Sequence, residues 1–213
     1  MANGDTVEKI LHAAGILFAE RGFAETSLRT ITGMAEVNLA AVNYHFGSKK
    51  ELIQAVFSRF LEPFCENLNV EIDQALAGQQ SDKPLTVEQL LKCVSSTLLV
   101  STEQSSVSVQ RITRLLSLAY TQSQEHLRQH LGSNFGGTYR RFAELSQKAM
   151  PELTPVQFYW RLYFMLGAAV FTLSSFDSLR AILNADYEQD SELDEVLELM
   201  IPSLAAILKT PHE

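Results

Sequence analysis

The residues best suited to chemistry stand close together. Asn43, Tyr44 and His45 are consecutive, and Lys49 and Lys50 follow within one further helical turn. Asn, Tyr and His carry hydrogen-bonding ends that can meet base edges, and lysines neutralise phosphates. Ala40 and Ala41 are small enough for a helix to approach a groove closely. Ser27, Arg29, Asn38 and Leu39 lie just upstream. Together these ten positions (Ser27, Arg29, Asn38, Leu39, Ala40, Ala41, Asn43, Tyr44, His45 and Lys49) point to contact with double-stranded DNA. A plain helical hairpin would use the same residue types.

Three other constellations are weaker. His126 and His130 lie four apart beside Glu125, a one-face spacing for a metal, but no third ligand is near in sequence, so no metal is expected. Arg111 and Arg114 interrupt the apolar helix VQRITRLLSLAY three residues apart, and so share a face. A buried arginine needs an anion, either a neighbouring Glu or a ligand carboxylate. Cys65 and Cys93 have no CxxC partner and read as small apolar residues of a reduced, cytoplasmic protein. GxSxG, P-loop and GxGxxG patterns do not occur, so neither a catalytic set nor a cofactor is expected.

DNA-reading residues need a scaffold. Ser27 can N-cap a first short helix carrying Leu28, Ile31 and Ala35 on one face. Glu36 and Val37 make a turn. A second short helix, Asn38 to His45, buries Val42, with Phe46 behind it. Gly47 ends that helix, and Ser48 with Glu51 can form a capping box for the next. Upstream, Val7, Ile10, Leu11, Ala14, Leu17 and Phe18 recur with period 3.6 up to Gly22. This first helix closes the small domain, because two short helices cannot bury a core alone.

Beyond Ser48 the pattern stays helical. One helix runs through Leu52, Val56, Phe60 and, past a kink expected at Pro63, to about Ala77. A loop covers 78–84. Helices are expected at about 87–101, 107–130, 134–149, 155–176 and 191–208, with STEQSS a turn and Thr86–Gln89 a cap. No alternating apolar run marks a strand. The expected fold is all-α: a three-helix helix-turn-helix domain over 1–47, then a larger helical domain over 48–213. The longest apolar run, about 159–173, is broken by Arg161 and Gly167, so no membrane span is expected.

The 213-residue chain carries a formal charge of −8, all of it beyond residue 60. Such acidity opposes indiscriminate nucleic-acid binding but suits a neutral reading head with a few phosphate-seeking cations.

The string VNLAAVNYHFGSKKELI resembles the recognition segment of TetR-type transcriptional repressors, as does ERGFAETSL upstream. The likeness is strong over residues 5–60. FAERGFAETSL, NLAAVNYHFGSKKELIQAVFSRFL and YFMLGAAVF are similar to the fatty-acid-responsive PsrA-type branch. The chain departs twice: Glu36 stands at the usual turn glycine, and Asn43 stands where the family has Tyr, with Tyr44 one place later.

The resemblance implies a homodimeric repressor whose C-terminal domain binds a small molecule that releases it from a palindromic operator. On that basis Phe158, Leu162, Met165, Val196, Leu199, Met200 and Leu204 are expected at the dimer interface. Arg111, Arg114, Phe164 and Phe171 are expected to hold an apolar effector, a long-chain fatty acid or acyl-CoA. The alternatives are a regulator sensing a cationic or aromatic compound, and a helical carrier that does not bind DNA.

Overall fold

The computed structural model describes residues 2–79 and 83–209; residues 80–82 of the expected loop lie outside them. The described residues form eleven helices and no strand. They are α1 (Ala2–Arg21), α2 (Leu28–Ala35), α3 (Leu39–Phe46), α4 (Lys49–Ala77), α5 (Val87–Ser105), α6 (Val109–Thr121), α7 (Glu125–Asn134), α8 (Gly136–Ala149), α9 (Pro155–Ser174), α10 (Phe176–Tyr187) and α11 (Leu193–Lys209). No single helix among them is long and apolar enough to cross a membrane; α9 and α10 pass that test only together, bent by 70°.

The small head forms because α1 and α3 each turn one apolar face to the start of α4, and α2 packs on α1 and α3. Ile10, Ala14, Leu17 and Phe18 of α1 meet Ile31 of α2, Val42 of α3, and Leu52, Val56 and Phe57 of α4. Phe23 seals the turn after α1, its ring 5.5 Å from Phe18 and 6.2 Å from Phe57. Gly22 there has φ +84°, a left-handed conformation open to glycine. Fully buried Thr26 braces the same turn, its hydroxyl donating to Gly22 O at 2.8 Å and reaching Leu17 O at 3.1 Å. The apolar cluster does not stop at residue 47. It takes in Ile112, Leu115 and Ala119 of α6 and Leu127 of α7.

α4 runs unbroken through Pro63 and packs along α5. A second cluster joins Leu68 and Ile72 of α4 with Leu90 of α5, Phe142 of α8, Phe158, Leu162 and Met165 of α9, and Leu204 and Leu208 of α11. A third and smaller one holds Val109, Leu173 and Leu197.

Several expected boundaries move. α5 absorbs most of the STEQSS stretch and turns only at Ser106, which has φ +55°. The 107–130 segment is two helices, broken at Gln122–Gln124. Arg128 satisfies carbonyls freed at that break, donating to Ala119 O at 3.2 Å and Gln122 O at 3.4 Å. α9 ends at Ser174, and α10 occupies a segment where no helix was expected; it buries only Phe176, so its apolar pattern is faint. The Ser48 cap accepts from Glu51 N at 3.3 Å, whereas Thr86–Gln89 and Thr154–Gln157 form complete capping boxes.

Four of the seven residues expected at a dimer interface face inward. Phe158, Leu162, Met165 and Leu204 are 2–8% exposed and close the protomer's own second cluster. They belong to the inward face of α9 and α11, because a helix of period 3.6 that buries 158, 162 and 165 turns 156, 160, 164 and 171 outward. Val196 and Met200 are half-buried, and Leu199 is exposed.

Thr26→Val should lower stability by about 1–3 kcal/mol in urea denaturation, since two carbonyls lose a buried donor. Thr26→Ser, which keeps the hydroxyl, should recover most of the loss.

Candidate nucleic-acid interface

α2 and α3 are short, and each is fixed by its N-cap. Ser27 Oγ accepts from Thr30 N at 3.1 Å, and Asn38 Oδ1 accepts from Ala41 N at 2.8 Å. Between them Glu36 sits at φ +55°, with its N–H bonded to Thr32 O. A non-glycine in this left-handed geometry costs on the order of 1–2 kcal/mol, which the packing on either side offsets. Ile31, Ala35 and Val42 are buried, so the orientation of α3 is set by its inner face.

The outer face of α3 is open. Asn38, Leu39, Ala40, Asn43 and Tyr44 are exposed, Tyr44 by 79%; Ala41 and His45 are half-buried. The His45 ring lies edge-on between those of Tyr44, 5.0 Å away, and Phe46, 6.3 Å away, which limits its freedom. Ser27 and Arg29 are exposed at the start of α2. Lys49 Nζ donates to Ala24 O at 3.3 Å, tying the first turn of α4 to the α1–α2 turn. All ten sequence-selected positions therefore gather on or beside one side of the head. Two of them, Ser27 and Asn38, also act as helix caps.

The positions selected for an effector do not gather. Arg114 is exposed, and its Nε donates to Ala19 O at 2.6 Å, near the C-terminal end of α1. Arg111 lines a tight gap with Leu11, His12, Gly15 and Arg59; burial lowers its pKa, Glu20 raises it and Arg59 lowers it further. Both arginines thus serve the seam between α1 and α6 rather than the interior of the C-terminal helices, because their face of α6 is the one that packs on the head. Phe164 and Phe171 are 59% and 64% exposed on the outer side of α9.

That outer side is a stripe of large side chains: Val156, Tyr159, Trp160, Phe164 and Phe171 are all more than half exposed. The sequence reading picked its phenylalanines but placed them in a cavity and passed over Tyr159 and Trp160. The stripe also has the helical period, so periodicity alone cannot tell an outward apolar face from an inward one. Tyr139 of α8 meets the flank of this stripe; burial and a hydrogen bond with Tyr163 raise its pKa strongly.

A groove of about 690 Å³ runs between head and body, lined by Phe23, Lys49, Lys50 and Ile53 on one side and Ser123 to His126 with Gln129 on the other. Of the histidine pair, His126 borders it. His130 Nε2 is 3.1 Å from Ser58 Oγ, and burial lowers the pKa of both imidazoles. Among the described residues no three His, Cys, Asp or Glu side chains are grouped as a metal would need. Gln122 was overlooked in sequence: its Oε1 accepts from Phe23 N at 3.3 Å, so α6 grips the head at two points.

Comparison with known proteins matches this architecture. Residues 10–56 fit the model of bacterial regulatory proteins of the tetR family, and residues 92–206 fit the tetracyclin repressor-like C-terminal domain. The probable HTH-type transcriptional regulator YttP of Bacillus subtilis is 35% identical over 89 residues, 42% of this chain and 40% of its own. The HTH-type transcriptional repressor Rv3405c of Mycobacterium tuberculosis is 53% identical over 47 residues, 22% of this chain and 25% of its own. The chain thus matches well under half the length of either relative. Solved structures cover nearly all of it. The hemolysin II transcriptional regulator HlyIIR aligns with a TM-score of 0.59 and 18% identity over 95% of this chain and 98% of its own. The fatty acid degradation regulator FadR of Bacillus halodurans aligns with a TM-score of 0.63 and 15% identity over 98% and 97%. At such identities the likeness is one of fold. With one family model covering more than half of the chain and another covering the head, the chain belongs to the TetR family of bacterial regulators.

Proposed function

We propose that the protein is a homodimeric transcriptional repressor that binds an operator through α3 and is released by an apolar effector held in the C-terminal helices. The observation that carries the DNA reading is the open face of α3, with Asn43 and Tyr44 exposed beside His45 on a helix locked by its cap and by Val42. A rigid helix with protruding polar and aromatic ends, flanked by Arg29, Lys49 and Lys50, suits a major groove and its phosphates. The neutral head on an acidic body favours specific over indiscriminate binding, because few phosphates are neutralised.

Dimerisation is assigned to the outer side of α9. Trp160, Phe164 and Phe171 line it, Gly167 lets a second helix come close, and Leu199 of α11 adds exposed apolar area. An apolar stripe of this size on a soluble chain calls for a partner, and a two-fold pairing presents two heads to an inverted repeat. The effector is assigned to the class of long-chain fatty acids or their CoA thioesters. Support comes from the apolar α5, α9 and α11 and from the PsrA-like sequence strings. A fold relative that regulates fatty acid degradation points the same way. A ligand acts by binding better to the arrangement whose heads miss the operator spacing.

Gel shift with DNA from upstream of the protein's own gene tests the reading. Tyr44→Ala should weaken specific binding by about 1–3 kcal/mol. Lys49→Ala should weaken binding to every sequence and lower the salt dependence by about one phosphate contact. Unchanged affinity in both, with melting temperature preserved, removes α3 as the reader. Phe164→Asp should convert a dimer to monomers in sedimentation and abolish tight binding to the inverted repeat. A monomeric wild-type protein that still binds that repeat tightly contradicts the dimer.

A further inference from the structure

The buried face of α5 changes character along its length. Its first half is apolar, with Val87, Leu90, Leu91 and Cys93 in the second cluster. Its second half presents hydroxyls at one-turn intervals: Thr97, Ser101 and Ser105, which are 1%, 0% and 4% exposed. Ser105 is satisfied within the helix, donating to Ser101 O at 2.6 Å. Thr97 Oγ1 and Ser101 Oγ have no hydrogen-bond partner. Buried hydroxyls are almost always paired, and helical Ser and Thr have a ready acceptor in the carbonyl four residues back. These two decline it and face inward.

They also stand where the interior is divided. Leu98, beside Thr97, touches both the head cluster and the small third cluster. Phe64 of α4 bridges the head and second clusters, and Met200 of α11 bridges the second and third. Neither cavity described above reaches this strip. Parting two separately packed clusters disturbs fewer contacts than splitting one, and Phe64, Leu98 and Met200 can adjust by changing rotamer.

We propose that Thr97 and Ser101 are the polar anchor of the effector site, and that they take an uncharged carbonyl or hydroxyl group on an aliphatic chain. Two hydroxyls four residues apart, about 6 Å along the helix axis, can bracket one such group, both donating to a carbonyl, or one donating to and one accepting from a hydroxyl. A bare carboxylate fits worse, because its charge needs a cation. Arg59 pairs with Glu8, Arg114 donates to Ala19 O, Lys209 pairs with Glu88, and Arg111 lines the gap beside α1. This rests on the reading that the C-terminal helices bind an apolar effector; of the acids and thioesters assigned there it favours the thioester, with other neutral esters and alcohols, over the free acid.

The test is thermal stabilisation of the full-length protein by 1-decanol, methyl decanoate and decanoate, in wild type and in Thr97→Val, Ser101→Ala and the double variant. Wild type should be stabilised by the alcohol and the ester, and less by decanoate. The double variant should need about tenfold more of either neutral ligand, the loss of roughly one good hydrogen bond. Without added ligand, Thr97→Val should melt at the same or a higher temperature, because an unpaired buried hydroxyl is replaced by a methyl group of similar shape. Three outcomes overturn the site: no stabilisation of wild type by the neutral ligands, unchanged ligand affinity in the double variant, or a Thr97→Val protein that melts lower with affinity unchanged. The last would mark a structural water. Gel shift separates the two readings. Variant-sensitive binding without operator release leaves the site standing and removes the effector function. Equal release in wild type and double variant does the reverse.

Discussion

Two eight-residue helices bury too little to stand alone, and that shortage governs how the chain is built. α2 and α3 together contribute Ile31, Ala35 and Val42 to the interior, beside half-buried neighbours. At about 1.5–3 kcal/mol for a fully buried large aliphatic side chain, this cannot meet the entropy of ordering some twenty residues. The remaining apolar area is borrowed. α1 supplies one wall, the first half of α4 another, and α6 and α7 close the cluster from the body. The head is therefore not an independent unit on a linker. It is one end of a core shared with the helices behind it.

How far this was legible depends on what each feature rests upon. The head was readable because its signals are local and mutually consistent. Ser27 and Ser48 cap helices at the expected places, Asn38 caps the helix it was expected to begin, and Gly22 and Gly47 take positive φ where each helix must stop. Glu36 was readable as a departure, and the backbone does adopt the left-handed angle that a glycine would take more cheaply. The break between α6 and α7 was not readable. It is held by Arg128 reaching back to two carbonyls, a tertiary detail with no periodic trace. α10 escaped because only one of its side chains is buried.

The phase of α9 was lost for a different reason. Its residues are apolar almost all round, so composition announces a buried helix but not which side faces inward. Phe158, Leu162 and Met165 pack within the protomer, while Phe164 and Phe171 face outward; the sequence reading had expected the first three at a dimer interface and the other two around a ligand. The arginines of α6 show the converse. Their spacing correctly placed them on one face, but that face meets α1, not the interior of the body.

α6 is consequently the element through which the two ends of the molecule constrain each other. Ile112, Leu115 and Ala119 lie in the head cluster, while Val109 lies with Leu173 of α9 and Leu197 of α11. Arg114 and Gln122 bond α6 to the backbone at the end of α1, so α6 cannot slide without dragging the turn that carries Phe23. On the far side of the α6–α7 break, Gln54 donates to His126 O at 3.3 Å and Ser58 meets His130, fixing α7 to α4. A packed helix held at both ends has few discrete positions rather than a continuum, because interiors tolerate neither voids nor overlap. A ligand that parts the clusters beside α5 would have to move α6 or α11 to make room. Moving α11 disturbs chiefly its contacts with α5 and α9, and the meeting of Leu197 with Val109. Moving α6 also tilts the seat of α1, and with it the direction in which α3 faces. On the proposed function, that difference decides whether occupancy is felt at the operator, and it makes the α1–α6 bonds, not the contacts of α3, the place where coupling strength is set.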